Sequence, residues 1–124
     1  MIAGIGTDIV EIQRVNASLQ RFGSAFRNRV FTPAEQEEAR RRNEAPSFYA
    51  GRWAAKEAAA KALGGGIGEQ CAFTEIEVLS GDHGAPQLTF TGHAAETAAR
   101  LGVKRCHISI SHERAYAVAF VTLE

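Results

Sequence analysis

The sequence predicts an α+β fold: a mostly antiparallel sheet with one long helix packed on it. Three observations predict it. Apolar residues alternate at the start and near the end of the chain, as in half-buried strands. Helical periodicity fills most of the span from Ile12 to Leu63. The remaining strands come as neighbours joined by turn-rich segments, which is how antiparallel pairs are connected.

The elements follow in order. Residues 2–10 read as a strand, with Ile2, Gly4, Gly6, Asp8 and Val10 on one face and Ala3, Ile5, Thr7 and Ile9 on the other. From Ile12 the period becomes helical. Ile12, Val15, Leu19 and Phe22 form a stripe that stops at Gly23, and a shorter segment holds Phe26, Val30 and Phe31. Thr32-Pro33-Ala34-Glu35 is a helix start with a capping box, and Arg40-Arg41-Arg42 suits that helix's C-terminus. Pro46 opens the long helix, which runs to Leu63 and ends at Gly64-Gly65-Gly66. Glu75–Leu79 and Gln87–Phe90 read as two strands. Thr91 is expected to cap a helix to Leu101, and residues 105–112 and 115–123 form a final hairpin. No repeat or linker divides the chain, so residues 1–124 are expected to be one domain.

Composition excludes several classes. The 124 residues are 45% hydrophobic, too apolar for a disordered chain. Fourteen basic residues balance fourteen acidic ones, which argues against a bulk electrostatic binder: no nucleic acid and no membrane are expected as partners. The longest apolar run, Ala115–Val121, is far short of the roughly twenty residues of a span. Asp8 interrupts the apolar N-terminus, so no signal peptide is read there. Cys71 and Cys106 have neither zinc nor disulfide-scaffold spacing, and a cytoplasmic location is expected.

Chemistry gathers at a few positions. On the long helix Trp53, Glu57 and Lys61 share one face, flanked by Lys56, while Ala54, Ala55, Ala58, Ala59 and Ala62 form a small-residue face suited to close packing. Glu57 and Lys61 alone would be a surface ion pair. Asp8 adds weight: an acid in the middle of an apolar strand needs a partner or a cation. Gly6 beside it leaves room for a ligand or another backbone. Two carboxylates suit Mg²⁺, with water and phosphate oxygens completing the octahedron. Gly65 and Gly66 serve either as a helix stop or as backbone donors to phosphate. Ser111 and His112 close a strand at a turn, where a histidine is commonly just a surface residue. Between Ile12 and Ala34 no acid occurs, although Arg14, Arg21, Arg27 and Arg29 do. Arg14 and Arg21 point away from the apolar stripe and form a candidate docking surface for an acidic partner.

These residues resemble a known family. Gly6-Thr7-Asp8-Ile9-Val10-Glu11-Ile12, Arg52-Trp53-Ala54-Ala55-Lys56-Glu57-Ala58 with Lys61, and Ser109-Ile110-Ser111-His112 are similar to motifs of the holo-[acyl-carrier-protein] synthases, short-class 4'-phosphopantetheinyl transferases. Phe73–Leu79 and Gly84-Ala85-Pro86 match as well, and Trp53 stands where the family more often has Phe. The resemblance implies the 4'-phosphopantetheinyl transferase fold. It also implies transfer of 4'-phosphopantetheine from coenzyme A to a serine of apo acyl carrier protein, releasing adenosine 3',5'-bisphosphate and supporting fatty acid biosynthesis. It implies Mg²⁺ on Asp8 and Glu57, and Lys61 at the leaving phosphate. Gly65, Gly66, Ser111 and His112 would hold the nucleotide phosphates, with His112 counted among the catalytic groups. Arg14 and Arg21 would receive the acidic carrier, and the chain would form a homotrimer with the coenzyme A site between subunits. Two other classes use the same residues: a Mg²⁺-dependent nucleotide hydrolase, and a non-catalytic module for an acidic protein.

Overall fold

A computed structural model describes residues 1–124. Strand β1 (Gly4–Glu11) leads into helices α1 (Ile12–Phe22), α2 (Ser24–Val30), α3 (Pro33–Arg41) and α4 (Pro46–Ala62). Strands β2 (Ile76–Ser80) and β3 (Pro86–Phe90) form a hairpin. Helix α5 (Gly92–Arg100) then leads to β4 (Cys106–His112) and β5 (Tyr116–Leu123). The expected α+β class and antiparallel pairing hold. The short segment around Phe26 is a helix of its own, α2, so four helices rather than three separate β1 from β2.

The main sheet has the order β1-β5-β4, antiparallel throughout, and β2-β3 is a separate two-stranded sheet. In the register Asp8 lies opposite Ala119, and Ala119 lies opposite Ile110. Alternation gives the sheet two unlike faces. One carries Gly4, Gly6, Asp8, Val10, Ala117, Ala119 and Val121 against α4. The other leaves Ile5, Ile9, Tyr116, Val118 and Phe120 exposed.

Helix α4 sits on the sheet through small residues. Ala54, Ala55, Ala58 and Ala59 are fully buried. A Cβ on Gly6 would collide with the carbonyl oxygen of Ala58, and one on Gly4 with that of Ala62. The room beside Asp8 is therefore taken by the α4 backbone, one of the two occupants the sequence allowed. This close approach brings the α4 residues bearing chemistry to the rim of β1.

Lys56, which flanks the face of α4 that carries Glu57 and Lys61, is drawn into the core. Its side chain and that of Glu35 are both completely buried, 2.6 Å apart. Lys56 Nζ also donates to the carbonyls of Phe73 at 3.0 Å and Ile76 at 2.7 Å. Glu35 completes the expected capping box with Thr32, and its second oxygen accepts from Val78 N–H at 2.7 Å. Burial pushes the Glu35 carboxyl up and the Lys56 ammonium down, against their mutual attraction. One satisfied ion pair thus ties α3, α4 and β2 together.

Two local expectations change. Phe22, the last residue of α1, is 54% exposed, while Val15 and Leu19 are the residues that α1 buries. Thr91 makes no side-chain cap on α5. Glu75 supplies it from an earlier turn of chain, accepting from His93 N–H at 2.6 Å and from Ala72 N–H at 2.9 Å. Those hydrogen bonds, the Ala72 one foremost, hold the Glu75 carboxyl below its ordinary value of 4.5. A depressed carboxyl stabilises the fold fully above 4.5, and its contribution is lost as pH falls below that value. Glu75→Gln is expected to cost about 1 kcal/mol at neutral pH. Its melting temperature should also fall less than wild type's between pH 6 and pH 4, measured at one protein concentration.

Candidate active site

The site begins where β1 meets the outer edge of α4. Glu57 and Lys61 are one turn apart on α4, so both project toward the strand rim. Lys61 Nζ donates to Asp8 Oδ1 at 2.9 Å and to the Thr7 carbonyl at 3.1 Å. The mid-strand acid has found its partner in Lys61, across 53 residues of chain. Glu57 makes no hydrogen bond. Partial burial raises its carboxyl above the ordinary value, the negative charge of Asp8 raises it further, and Lys61 works against both. The negative charge of Asp8 disfavours ionised Glu57, and a cation held by both would relieve that.

Asp8 and Glu57 line one cavity of about 310 Å³ with Val10, Arg14, Phe26 and Trp53. Its wall is rigid: Trp53 stacks on Phe26 at 5.9 Å and tilts against Phe73 at 4.7 Å. No group of three or more His, Cys, Asp or Glu side chains surrounds a common point. The donor set offered to a metal is therefore two carboxylates, hard oxygen ligands of the kind Mg²⁺ takes while keeping water and phosphate oxygens. The residues present fit that ion.

The other expected site residues lie elsewhere in the chain. Gly65 and Gly66 line a separate cavity of about 240 Å³ beside Cys71 and Arg100. The Gly66 N–H is engaged with the Ala60 carbonyl at 3.1 Å, so of the pair only Gly65 keeps a free donor. Gly66 acts as a helix stop, which was one of the two expected roles.

His112 lines a third cavity, about 300 Å³, together with Arg42, Arg52, Ser80, Phe48 and Pro86. Ser111 points to the exposed face of the sheet. There Ile9, Ser111, His112 and Val118 line a shallow groove that shares Ile9 with the Asp8 cavity and His112 with the arginine cavity.

The two guanidiniums were not singled out from the sequence. Arg42 reads as a helix-end charge, and Arg52 sits inside a quoted motif without a role. Their convergence on Ser80, at 3.0 and 3.1 Å, depends on tertiary closure. In the basic segment, neither Arg14 nor Arg21 makes an ion pair, whereas Arg27 lies 3.5 Å from Glu44. Arg21 stacks its guanidinium 5.1 Å from the exposed Phe22 ring.

The 4'-phosphopantetheinyl transferase superfamily matches residues 4–121, and the chain belongs to that family. Within it the similarity is to holo-[acyl-carrier-protein] synthases. The chain is 48% identical to that of Maridesulfovibrio salexigens, over 100% of this chain and 99% of the relative. It is 46% identical to that of Vibrio cholerae, over 100% and 98%. The crystal structure of the Neisseria meningitidis synthase superposes with a TM-score of 0.91 at 36% identity, covering 100% of this chain and 99% of that one. The Helicobacter pylori synthase in complex with coenzyme A gives 0.87 at 32%, covering 97% and 99%.

Proposed function

We propose that this chain transfers 4'-phosphopantetheine from coenzyme A to a serine of apo acyl carrier protein, with Mg²⁺ held by Asp8 and Glu57. The observation that carries the reading is the convergence of Asp8, Glu57 and Lys61 at one rim. Mg²⁺, when bound, supplies charge neutralisation on the pyrophosphate and orients it.

The chain's own residues do the rest. The Lys61 ammonium keeps one N–H beyond its bonds to Asp8 and the Thr7 carbonyl, to direct at an anionic oxygen. It then stabilises charge on the departing phosphate. The stacked Trp53 and Phe26 form an apolar wall of the cavity that the two carboxylates line. Gly65 offers its free N–H near the end of the same helix. His112, Arg42 and Arg52 supply cationic and hydrogen-bonding groups for the phosphates of the nucleotide half. The serine proton leaves to water or to a carboxylate. The step forms a phosphorus–oxygen bond to serine and breaks the pyrophosphate bridge, which positioning and electrostatics promote.

The exposed apolar face supports self-association. Ile5, Ile9, Val118 and Phe120 cover one side of the three-stranded sheet, more apolar surface than a monomer usually leaves to water. A neighbouring chain seated there would close the groove between the Asp8 and His112 ends. A homotrimer is the assembly this reading takes, and light scattering at assay concentration is expected to give about three times the chain mass. A role in cytoplasmic fatty acid biosynthesis follows from the acceptor.

Incubation with coenzyme A and Mg²⁺ alone separates transfer from hydrolysis. Coenzyme A is expected to remain intact on chromatography until apo carrier is added. Steady cleavage without the acceptor would make water the nucleophile and the chain a hydrolase.

Carrier docking is assigned to Arg14, Arg21 and the adjoining Phe22. Two guanidiniums without an ion pair, that of Arg21 over an exposed ring, suit an acidic helical surface. Arg14 also lines the Asp8 cavity, so it stands where carrier and coenzyme meet. Arg14→Glu with Arg21→Glu is expected to raise the carrier KM at least about tenfold while coenzyme A affinity changes little. The wild-type rate should fall as salt screens charges over about 8 Å. Loss of coenzyme A binding with carrier binding retained would place the basic segment at the nucleotide.

A further inference from the structure

Behind the two guanidiniums of the arginine cavity stands a carboxylate, Glu38, to which the reaction described above gives no role. Arg42 and Arg52 donate to the same acceptor, Ser80 Oγ, at 3.0 and 3.1 Å. Both guanidiniums also lie over the Phe48 ring, at 5.5 and 4.5 Å from its centroid. Two like charges this close repel. Arg52 is 7% exposed, so water screens that repulsion poorly.

Glu38, itself 5% exposed, stands behind them. Its Oε2 accepts from Arg42 at 3.3 Å, and its Oε1 from Arg52 at 3.4 Å and from Ser80 N–H at 3.1 Å. Every strong contact of Glu38 therefore goes to one of the three groups that meet at the cavity wall. One carboxylate leaves the two-arginine cluster one positive charge in excess. Arg52 Nε is buried with no partner. A donor left orphaned beside a net positive charge calls for an anion, and the cavity is where one would enter.

We propose that Glu38 is a positioning residue for coenzyme A: it holds Arg42 and Arg52 as a paired clamp for the phosphate of the nucleotide half. The proposal rests on the reading that this cavity receives that half. Charge counting alone gives the opposite sign, because removing an acid should favour an anion. Geometry decides otherwise. Without Glu38 the guanidiniums lose the group that offsets their repulsion, and Arg42, about half exposed, swings to water. A clamp that must be reassembled binds more weakly than one already formed.

The test is Glu38→Gln, nearly isosteric but uncharged. Adenosine 3',5'-bisphosphate serves as the calorimetric probe, since it carries the nucleotide half without the pyrophosphate bridge. Its Kd and the KM for coenzyme A are both expected to rise about tenfold. The kcat at saturating coenzyme A and the carrier KM should stay within about twofold. A variant that only loosened the fold would lower kcat and shift both KM values, which would overturn the proposal. So would unchanged or tighter probe binding by Glu38→Gln while Arg42→Gln weakens it; the cavity reading would then stand without the clamp. If Arg42→Gln also binds normally, the cavity reading fails and the proposal with it. Should Glu38→Gln not fold, Ser80→Ala removes the hydroxyl both guanidiniums share. The same rise in Kd and KM is expected there, and wild-type values would overturn the clamp.

Discussion

Glu57→Ala is expected to lower kcat by about a hundredfold or more, in a protein that folds normally. The loss follows from the proposed metal assignment: the variant lacks one of the two carboxylates that would hold Mg²⁺, which would offset several kcal/mol of phosphoryl charge, each 1.36 kcal/mol being tenfold in rate. The folding half of the expectation is equally specific. Glu57 makes no hydrogen bond, and burial and Asp8 both disfavour its charge. Its removal therefore takes nothing from the fold, and Tm should hold or rise, as for a group kept for function at some expense of stability. Asp8→Ala should match it in rate, while Lys61→Met lowers kcat about tenfold with little change in coenzyme A KM. Near-normal turnover by folded Glu57→Ala in saturating Mg²⁺ would remove the metal assignment. An effect of Lys61→Met confined to KM would make Lys61 a binding group.

The second large effect concerns stability alone. Lys56→Met or Glu35→Gln leaves one member of a wholly buried pair without its partner. Breaking such a pair costs about 3–5 kcal/mol, against a total of about 5–15 kcal/mol for a domain. Either single variant is expected to lose about half the unfolding free energy in urea at fixed protein concentration. Lys56→Met with Glu35→Leu should recover much of it, because no unpaired charge remains. The four backbone carbonyl and N–H partners of the pair limit that recovery. A single variant within about 1 kcal/mol of wild type would show that the pair does not pin α3 and β2 to α4.

The sequence made part of this visible. Glu57 and Lys61 were placed on one helix face by their spacing, and Asp8 stood out as an acid in an apolar strand. Their meeting needed only that β1 pack on α4, which the glycines and alanines left room for without naming the partner. The burial of Lys56 was not legible, because α4 is buried on most of its circumference and periodicity does not tell its surface from its core. The α5 cap was assigned to Thr91 because local sequence favours it. The actual cap, Glu75, comes from 18 residues away and could not be found locally. The same limit hid Arg42 and Arg52, joined only through Ser80 and Glu38. Gly66 was readable both ways, and its N–H went to the helix end.

The central claim is that the Asp8–Glu57–Lys61 rim moves phosphopantetheine onto a protein serine. The most direct measurement is the intact mass of apo acyl carrier protein after incubation with this chain, coenzyme A and Mg²⁺. The account predicts a gain of one phosphopantetheine group on the carrier, matched by release of adenosine 3',5'-bisphosphate and abolished by Glu57→Ala. An unmodified carrier in the presence of folded wild-type protein, or a gain that Glu57→Ala leaves intact, would contradict it.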